Sequence, residues 1–220
     1  MKGKFSLQYL LLLVFILPCF GLSAQVHDPV ALGILDKVSL KYKSYKSYKV
    51  NYEVASESPA GKTMDSRKGE ILVSGQKFVL SLPDQDVFCN GATLWTYLKE
   101  AREVNISDYE PGSDEITPQS IFTLYQRGYK YVYWGEQKDH KTTLQIVDLE
   151  PEDRKNEVLK VRLFVNKADK SVKRWIVFER GSGNRQVFTL SKVTPNIPVT
   201  DATFAFSKTK HPGVKEIDLR

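Results

Sequence analysis

The alternation of apolar and polar positions divides the chain into one leading helix and a long run of strands. Ala31, Ile34, Leu35, Val38 and Tyr42 recur at helical spacing, while Asp36, Lys37 and Lys41 take the other side. Asp28-Pro29 supplies an N-cap and a first helical position, so an amphipathic helix is predicted from there to about Lys43-Ser44. Tyr48, Val50, Tyr52 and Val54 then alternate with Lys49, Asn51 and Glu53, the period of a strand with one wet face. Residues 56–66, with Pro59 and Gly61, read as a polar loop. Three short strands follow, at 68–73, at 76–82 with Phe78, Leu80 and Leu82 on one face, and at 87–89. Asn90-Gly91 is a hairpin signal, because both residues tolerate the positive φ of a tight primed turn. Val87 and Cys89 lead into it, and Leu94, Trp95 and Tyr97 lead out.

A strand around Val104 and Ile106 precedes an acidic loop at 108–115. Thr117-Pro118 repeats the helix-start signal, Ile121, Phe122, Leu124 and Tyr125 follow, and Gly128 fits a C-terminal stop. A second, short amphipathic helix is predicted there. Strands resume at Tyr131 and Tyr133 and recur over 144–149, 161–165, 172–178 and 186–190, and the tail reads as irregular with one short strand. About ten strands and two helices predict a mainly β (α+β) fold. The arrangement that satisfies them is a strongly curved antiparallel sheet, an incomplete barrel, closed by short amphipathic helices as a lid over an apolar cavity.

Residues 1–24 stand apart. Lys2 and Lys4 precede an apolar run from Leu7 to Phe20, and Gly21-Leu22-Ser23-Ala24 offers a small-residue cleavage site, the pattern of a secretory signal peptide. Residues 25–220 then form a single domain. The formal charge of +6 falls to +4, because Lys2 and Lys4 leave and no acid does. That mild basicity fits weak attraction to an anionic surface, and export argues against nucleic acid. Cys89 is the one cysteine left after the leader, so no disulfide within the chain is expected.

Candidate chemistry is sparse. His27, His140 and His211 are far apart and lack partners at metal-ligand spacing. Gly181-Ser182-Gly183 is too short for a nucleophile elbow or a dinucleotide fingerprint. Asp148, Glu150, Glu152 and Asp153 read as a solvated acidic turn rather than a calcium site. Lys41 to Lys49 interleaves lysine with Tyr42, Tyr45 and Tyr48, a pattern that binds single strands in other settings and here reads as a helix end running into a strand, with membrane docking or partner docking left open. No cofactor, metal or catalytic constellation is expected, and the chain is read as a non-enzyme. What remains is apolar surface in excess.

From Asp28 onward the chain resembles the LolA family of periplasmic lipoprotein carriers. The likeness rests on Ile34-Leu35-Asp36-Lys37-Val38, on Gly69-Glu70-Ile71 leading to Lys77-Phe78, and on Asn90-Gly91-Ala92-Thr93-Leu94-Trp95-Thr96-Tyr97. Thr117-Pro118, residues 201–206 and Pro212-Gly213-Val214 complete the ordered set. The resemblance implies an incomplete barrel with a helical lid, located in the periplasm of a Gram-negative bacterium. It implies a monomeric chaperone that takes triacylated lipoproteins from an inner-membrane ABC transporter to an outer-membrane acceptor, protein or lipid. By position it implies that Phe78, Leu80, Val87, Leu94, Val50 and Tyr52 line the acyl-chain cavity. Ile121, Phe122 and Tyr125 would belong to the lid, and Ile34, Leu35 and Val38 to the first helix. Some family members latch the lid through an Arg just before the Phe strand. Val73-Ser74-Gly75-Gln76-Lys77-Phe78 has none, which leaves Lys77 and Arg67 as substitutes.

Two alternatives stay open: a carrier of free lipid or glycolipid on the same fold, and an envelope-stress sensor that binds lipoproteins. Either Phe78→Glu or Phe122→Glu is expected to abolish cargo binding while leaving the fold largely intact.

Overall fold

The computed structural model describes residues 28–110 and 120–220. The leader and Thr117-Pro118 lie outside them. One helix, α1 (Pro29–Lys43), opens the fold. Its cap forms as its sequence dictates: Asp28 Oδ1 accepts from the Val30 and Ala31 amides at 2.7 and 3.3 Å. Asp28 Oδ2 accepts from the Tyr133 amide at 2.9 Å, so the cap also ties the helix to a strand. That bond, with the two from the helix, holds the Asp28 carboxyl below the usual range against the pull of burial.

Twelve strands follow in one curved sheet. They are β1 (Tyr48–Glu57), β2 (Thr63–Ser74), β3 (Lys77–Ser81), β4 (Gln85–Cys89), β5 (Thr93–Leu98) and β6 (Glu103–Asp108), then β7 (Tyr129–Asp139), β8 (Thr142–Pro151), β9 (Val158–Asn166), β10 (Val172–Glu179), β11 (Arg185–Pro195) and β12 (Lys215–Asp218). The order across the sheet is β12-β6-β5-β4-β3-β2-β1-β11-β10-β9-β8-β7. Neighbours are antiparallel except β12, which runs parallel to β6. The two halves of the chain meet where β1 pairs with β11. β12 and β7 stand at the two ends, so the sheet is open. Bulges at Asn51/Tyr52 and Tyr133/Gly135 interrupt the register and bend the long strands.

Three expectations are corrected. Residues 56–66 are not a loop: β1 runs to Glu57 and β2 starts at Thr63, so only 58–62 turn. Thr63 to Lys68 is exposed and polar, and its strand state comes from the ladder to β1 rather than from burial. Within the described part of the second predicted helix, residues 120–123 are turns and Leu124–Gln126 is a single 3-10 turn. Gly128 still ends it, at φ +72°. The fold thus has one α-helix among the described residues instead of two, and twelve strands instead of about ten.

The main core lies on the inner face. Ala31, Ile34, Leu35, Val38 and Tyr42 of α1 form one cluster with inward residues of β7–β11, including Tyr131, Val147, Leu163 and Trp175. Trp175 is fully buried and stacks on Phe188, ring centroids 4.6 Å apart. On the outer face, Phe206 and His211 pack against Tyr97, and Phe206 against Phe88. The aromatics of β4 and β5, Phe88, Trp95 and Tyr97, therefore share the outer face, and Val87, Cys89 and Leu94 take the inner one.

Candidate functional site

The inner face carries two apolar rows across β1–β5, fixed by strand register. One row is Val50, Ile71, Leu80 and Val87, each opposite the next. The other is Tyr48, Val73, Phe78, Cys89 and Leu94. Both rows turn polar at the far end: Val87 faces Thr96, which faces Asn105, and Leu94 faces Ser107. Strands about 4.8 Å apart make this floor roughly 19 Å wide from β1 to β5.

Burial falls off along the floor. Val50, Ile71, Val73 and Cys89 are buried, whereas Phe78, Leu80, Val87 and Leu94 keep part of their surface in solvent. The cause is the position of α1. Its buried side chains pack over the half of the sheet that contains Trp175, and Phe78, Leu80 and Leu82 only border that cluster. Tyr109 sets its ring edge-on to Phe78, centroids 5.8 Å apart, and its amide donates to the Ala92 carbonyl at 2.7 Å. Tyr52 lies across β2 at Gly69, where a Cβ would fall 2.8 Å from the phenol ring and 2.9 Å from Leu82. Glycine is needed there for that close approach. Burial pushes the Tyr52 phenol up to about 12, so the floor carries no charge at neutral pH from this group.

The structure thus divides the twelve residues assigned from the sequence. Phe78, Leu80, Val87 and Leu94 form the partly open floor. Val50 and Tyr52 are its buried margin. Ile34, Leu35, Val38, Ile121, Phe122 and Tyr125 are buried in the packed core. Phe122 stacks on Tyr42 at a centroid distance of 3.5 Å and an angle of 8°, and is 4 % exposed. A charge placed at Phe122 would enter that stack, so the expectation that Phe122→Glu spares the fold is corrected. Leu82 and Tyr109 belong beside the floor and were absent from the sequence assignment. The alternation with Phe78 and Leu80 pointed to Leu82, and nothing local pointed to Tyr109.

α1 is held to the sheet at several points. The Tyr125 hydroxyl donates to Asp36 Oδ1 at 2.7 Å, and burial followed by this bond raises the Tyr125 pKa. Lys41 Nζ donates to the Asp169 carbonyl at 2.8 Å, and the Val172 amide donates to the Tyr42 hydroxyl at 3.3 Å. Neither substitute for the missing Arg reaches the helix. Lys77 Nζ pairs with Asp201 at 2.7 Å, and Arg67 lies beside Asp65 and Asp84. Lys77 closes one side of a polar cleft of about 650 Å³ between the β2–β3 and β4–β5 turns and Asp201–Phe204. In the second of those turns only Gly91 takes a positive φ, and Asn90 Oδ1 accepts from the Ala92 and Thr93 amides.

Other candidate chemistry is absorbed by structure. Cys89 is buried, and burial pushes its thiol pKa up, away from the thiolate. Asp148 is 4 % exposed and held by Arg162 at 2.6 Å and Lys160 at 3.2 Å, which leaves it no role in an acidic turn. His140 is exposed in the β7–β8 turn, and the His211 ring stacks on Phe206. Among the described residues no group of His, Cys, Asp and Glu is placed to hold a metal ion.

Comparison with known proteins gives this floor its context. The family model described as "Outer membrane lipoprotein carrier protein LolA" matches residues 35–177. The chain belongs to the LolA family. The matched segment runs from α1 through β10 and contains the whole floor. An uncharacterised conserved protein from Thermus thermophilus shares the fold at 10 % identity. Its TM-score is 0.58, and the match covers 86 % of this chain and 99 % of that one. A LolA superfamily protein from Nitrosomonas europaea matches at 15 % identity and TM-score 0.43, covering 80 % and 97 % of the two chains. The Mycobacterium tuberculosis lipoprotein LppX matches at 16 % and 0.46, covering 79 % and 98 %. A search of curated proteins found no significant match. The LolA family is a binding and carrier family of the cell envelope.

Proposed function

We propose that this LolA-family chain is a periplasmic carrier that shields the acyl chains of lipoproteins on the inner floor of β1–β5. The supporting observation is the half-finished burial of that floor. Phe78, Leu80, Val87 and Leu94 face inward in register, yet α1 covers the neighbouring half of the sheet. Acyl chains laid on the floor would complete its burial at about 0.8 kcal/mol per methylene. A triacylated lipoprotein gains enough from this to cross water. Phe78, Leu80, Val87 and Leu94 are partly open with α1 in place, so loading this floor leaves Ile34, Leu35 and Val38 of α1 in the core.

In this reading the protein acts as a monomer without cofactor. It receives cargo from an inner-membrane ABC transporter and delivers it to an outer-membrane acceptor. Release follows when the acceptor offers the chains a drier site. The test is displacement of an apolar fluorescent probe from the purified protein. A tripalmitoylated Cys peptide displaces the probe, and neither the unacylated peptide nor a phospholipid does so at the same concentration. Equal displacement by phospholipid assigns the protein to free-lipid transport instead. Failure of the probe to bind removes the carrier reading.

A further inference from the structure

The stretch of lysines and tyrosines at 41–49 is taken apart by the fold. Tyr42 and Tyr48 are buried and pack edge-to-face, centroids 5.7 Å apart, so neither ring is free to stack on a base. The lysines are left outside, where others from distant sequence join them. On α1, Lys37, Leu40 and Lys41 share one face, being three and four residues apart. That face abuts the β9–β10 turn, where Lys41 binds the Asp169 carbonyl. Lys170, in the same turn, titrates low because of burial first and then the charges of Lys37 and Lys167. Lys173 and Lys192 join Lys41 around a small cleft of about 170 Å³ floored by Tyr42, Tyr45, Val172 and Leu190.

Six lysines (37, 41, 167, 170, 173 and 192) therefore meet at one pole. The carboxylates that face them are Asp169, beside Lys41, and Glu136, paired with Lys167 at 2.8 Å. Asp36, on the flank of the same helix, is already bound to Tyr125. Positive charge is left over. In its midst Leu40 is 67 % exposed, a large apolar side chain held out in solvent. An exposed Leu ringed by lysines matches the chemistry of a bilayer surface. The apolar tip enters the headgroup layer, and each lysine near an anionic surface contributes about 1 kcal/mol.

We propose that this pole, the C-terminal half of α1 with the β9–β10 turn, docks on an anionic phospholipid surface. Leu40 enters between headgroups, and Lys37, Lys173 and Lys192 lie against their phosphates. Docking of this kind sets the helix that covers the core directly against the membrane. It is independent of what the floor carries, so its failure leaves the cargo assignment untouched.

The experiment is co-sedimentation of the purified protein with vesicles of phosphatidylcholine alone and of phosphatidylcholine with about one-third phosphatidylglycerol. The expected result is binding to the anionic vesicles alone, weakened several-fold between about 50 and 300 mM NaCl. Lys37→Glu, Lys173→Glu and Lys192→Glu together are expected to weaken binding about 100-fold. Leu40→Ser alone should weaken it several-fold at unchanged salt dependence. Lys62→Glu with Lys155→Glu, at the opposite end of the strands, should leave it within about two-fold. Circular dichroism and thermal melting establish that each variant is folded, and the exposed positions of all five lysines favour that. Equal binding to both vesicle types, no binding to either, or an unchanged affinity of the folded triple variant overturns the proposal. Binding of an acidic protein to the patch with no vesicle binding also overturns it.

Discussion

Phe78 and Phe122 separate the floor from the core, and glutamate at each position has opposite consequences. Phe78 is partly exposed at the edge of the cluster under α1. Its ring is mostly buried, so removing it costs the fold about 2 kcal/mol. In Phe78→Glu the new carboxylate would stay in solvent while the protein is empty. When acyl chains cover the floor, the lost ring contact forfeits about 1 kcal/mol more. Covering the carboxylate with hydrocarbon adds at least ~2 kcal/mol. The sum, about 3 kcal/mol, corresponds to a lipopeptide affinity ~100-fold weaker. Phe122 is stacked on Tyr42 and buried. Loss of a buried Phe alone costs about 3–5 kcal/mol, and a buried carboxylate adds to it, against a total stability of ~5–15 kcal/mol. Phe122→Glu should therefore melt far below the parent, while Phe78→Glu melts less than about 10 °C below it. Thermal melting with lipopeptide titration reads both. A Phe78→Glu protein that is folded and binds within about three-fold of the parent refutes the floor. A Phe122→Glu protein with the parental melting temperature refutes the packing.

Three further substitutions test the supports of the site. Gly69→Ala drives a methyl group into the Tyr52 ring and Leu82, so it should lower stability by about 1–3 kcal/mol in a denaturant melt. Tyr125→Phe removes the bond to Asp36. It should cost about 1 kcal/mol and speed hydrogen exchange of the α1 amides relative to those of β9. Burial works against the Asp148 charge, but Arg162 and Lys160 hold its carboxyl below the usual range. A depressed carboxyl stabilises the fold above its unfolded pKa, near ~4, and that stability is lost as pH falls through the lower folded value. Asp148→Asn should cost about 3 kcal/mol at pH 7, leaving two cations unmatched, and should flatten the loss of stability between about pH 5 and 2.

The sequence was most legible where local chemistry and tertiary environment agree. Asp28-Pro29 announced α1 because the cap is satisfied by the helix's own amides, and the Tyr133 bond only reinforces it. The alternation in β1 and the Asn90-Gly91 turn marked the central sheet, since burial on one face imposes period two. What failed was decided at long range. Residues 63–68 are a strand only because β1 offers a ladder. Residues 120–126 carry apolar side chains at helical spacing, yet Ile121 and Phe122 are drawn into the core by Tyr42 and the neighbouring rings. Alternation identified inward residues but not which of them α1 would cover. Val50 and Ile71 thus looked the same as Leu80 and Val87 in the sequence and differ in the structure. Of the lysine pole only Lys41 lay in the stretch from which the sequence left a docking role open, since Lys37, Lys170 and Lys192 join it only after folding.

The central claim is that acyl chains lie on the inner floor of β1–β5. It is tested most directly with a triacylated Cys peptide carrying a photoreactive diazirine in one acyl chain. After irradiation of its complex with the protein, the labelled residues are mapped by mass spectrometry. The account predicts label on Phe78, Leu80, Val87 and Leu94, with Leu82 and Tyr109 beside them. Label confined to outward residues such as Phe88, Trp95 or Trp134, or no label above that of an unacylated control, would contradict it.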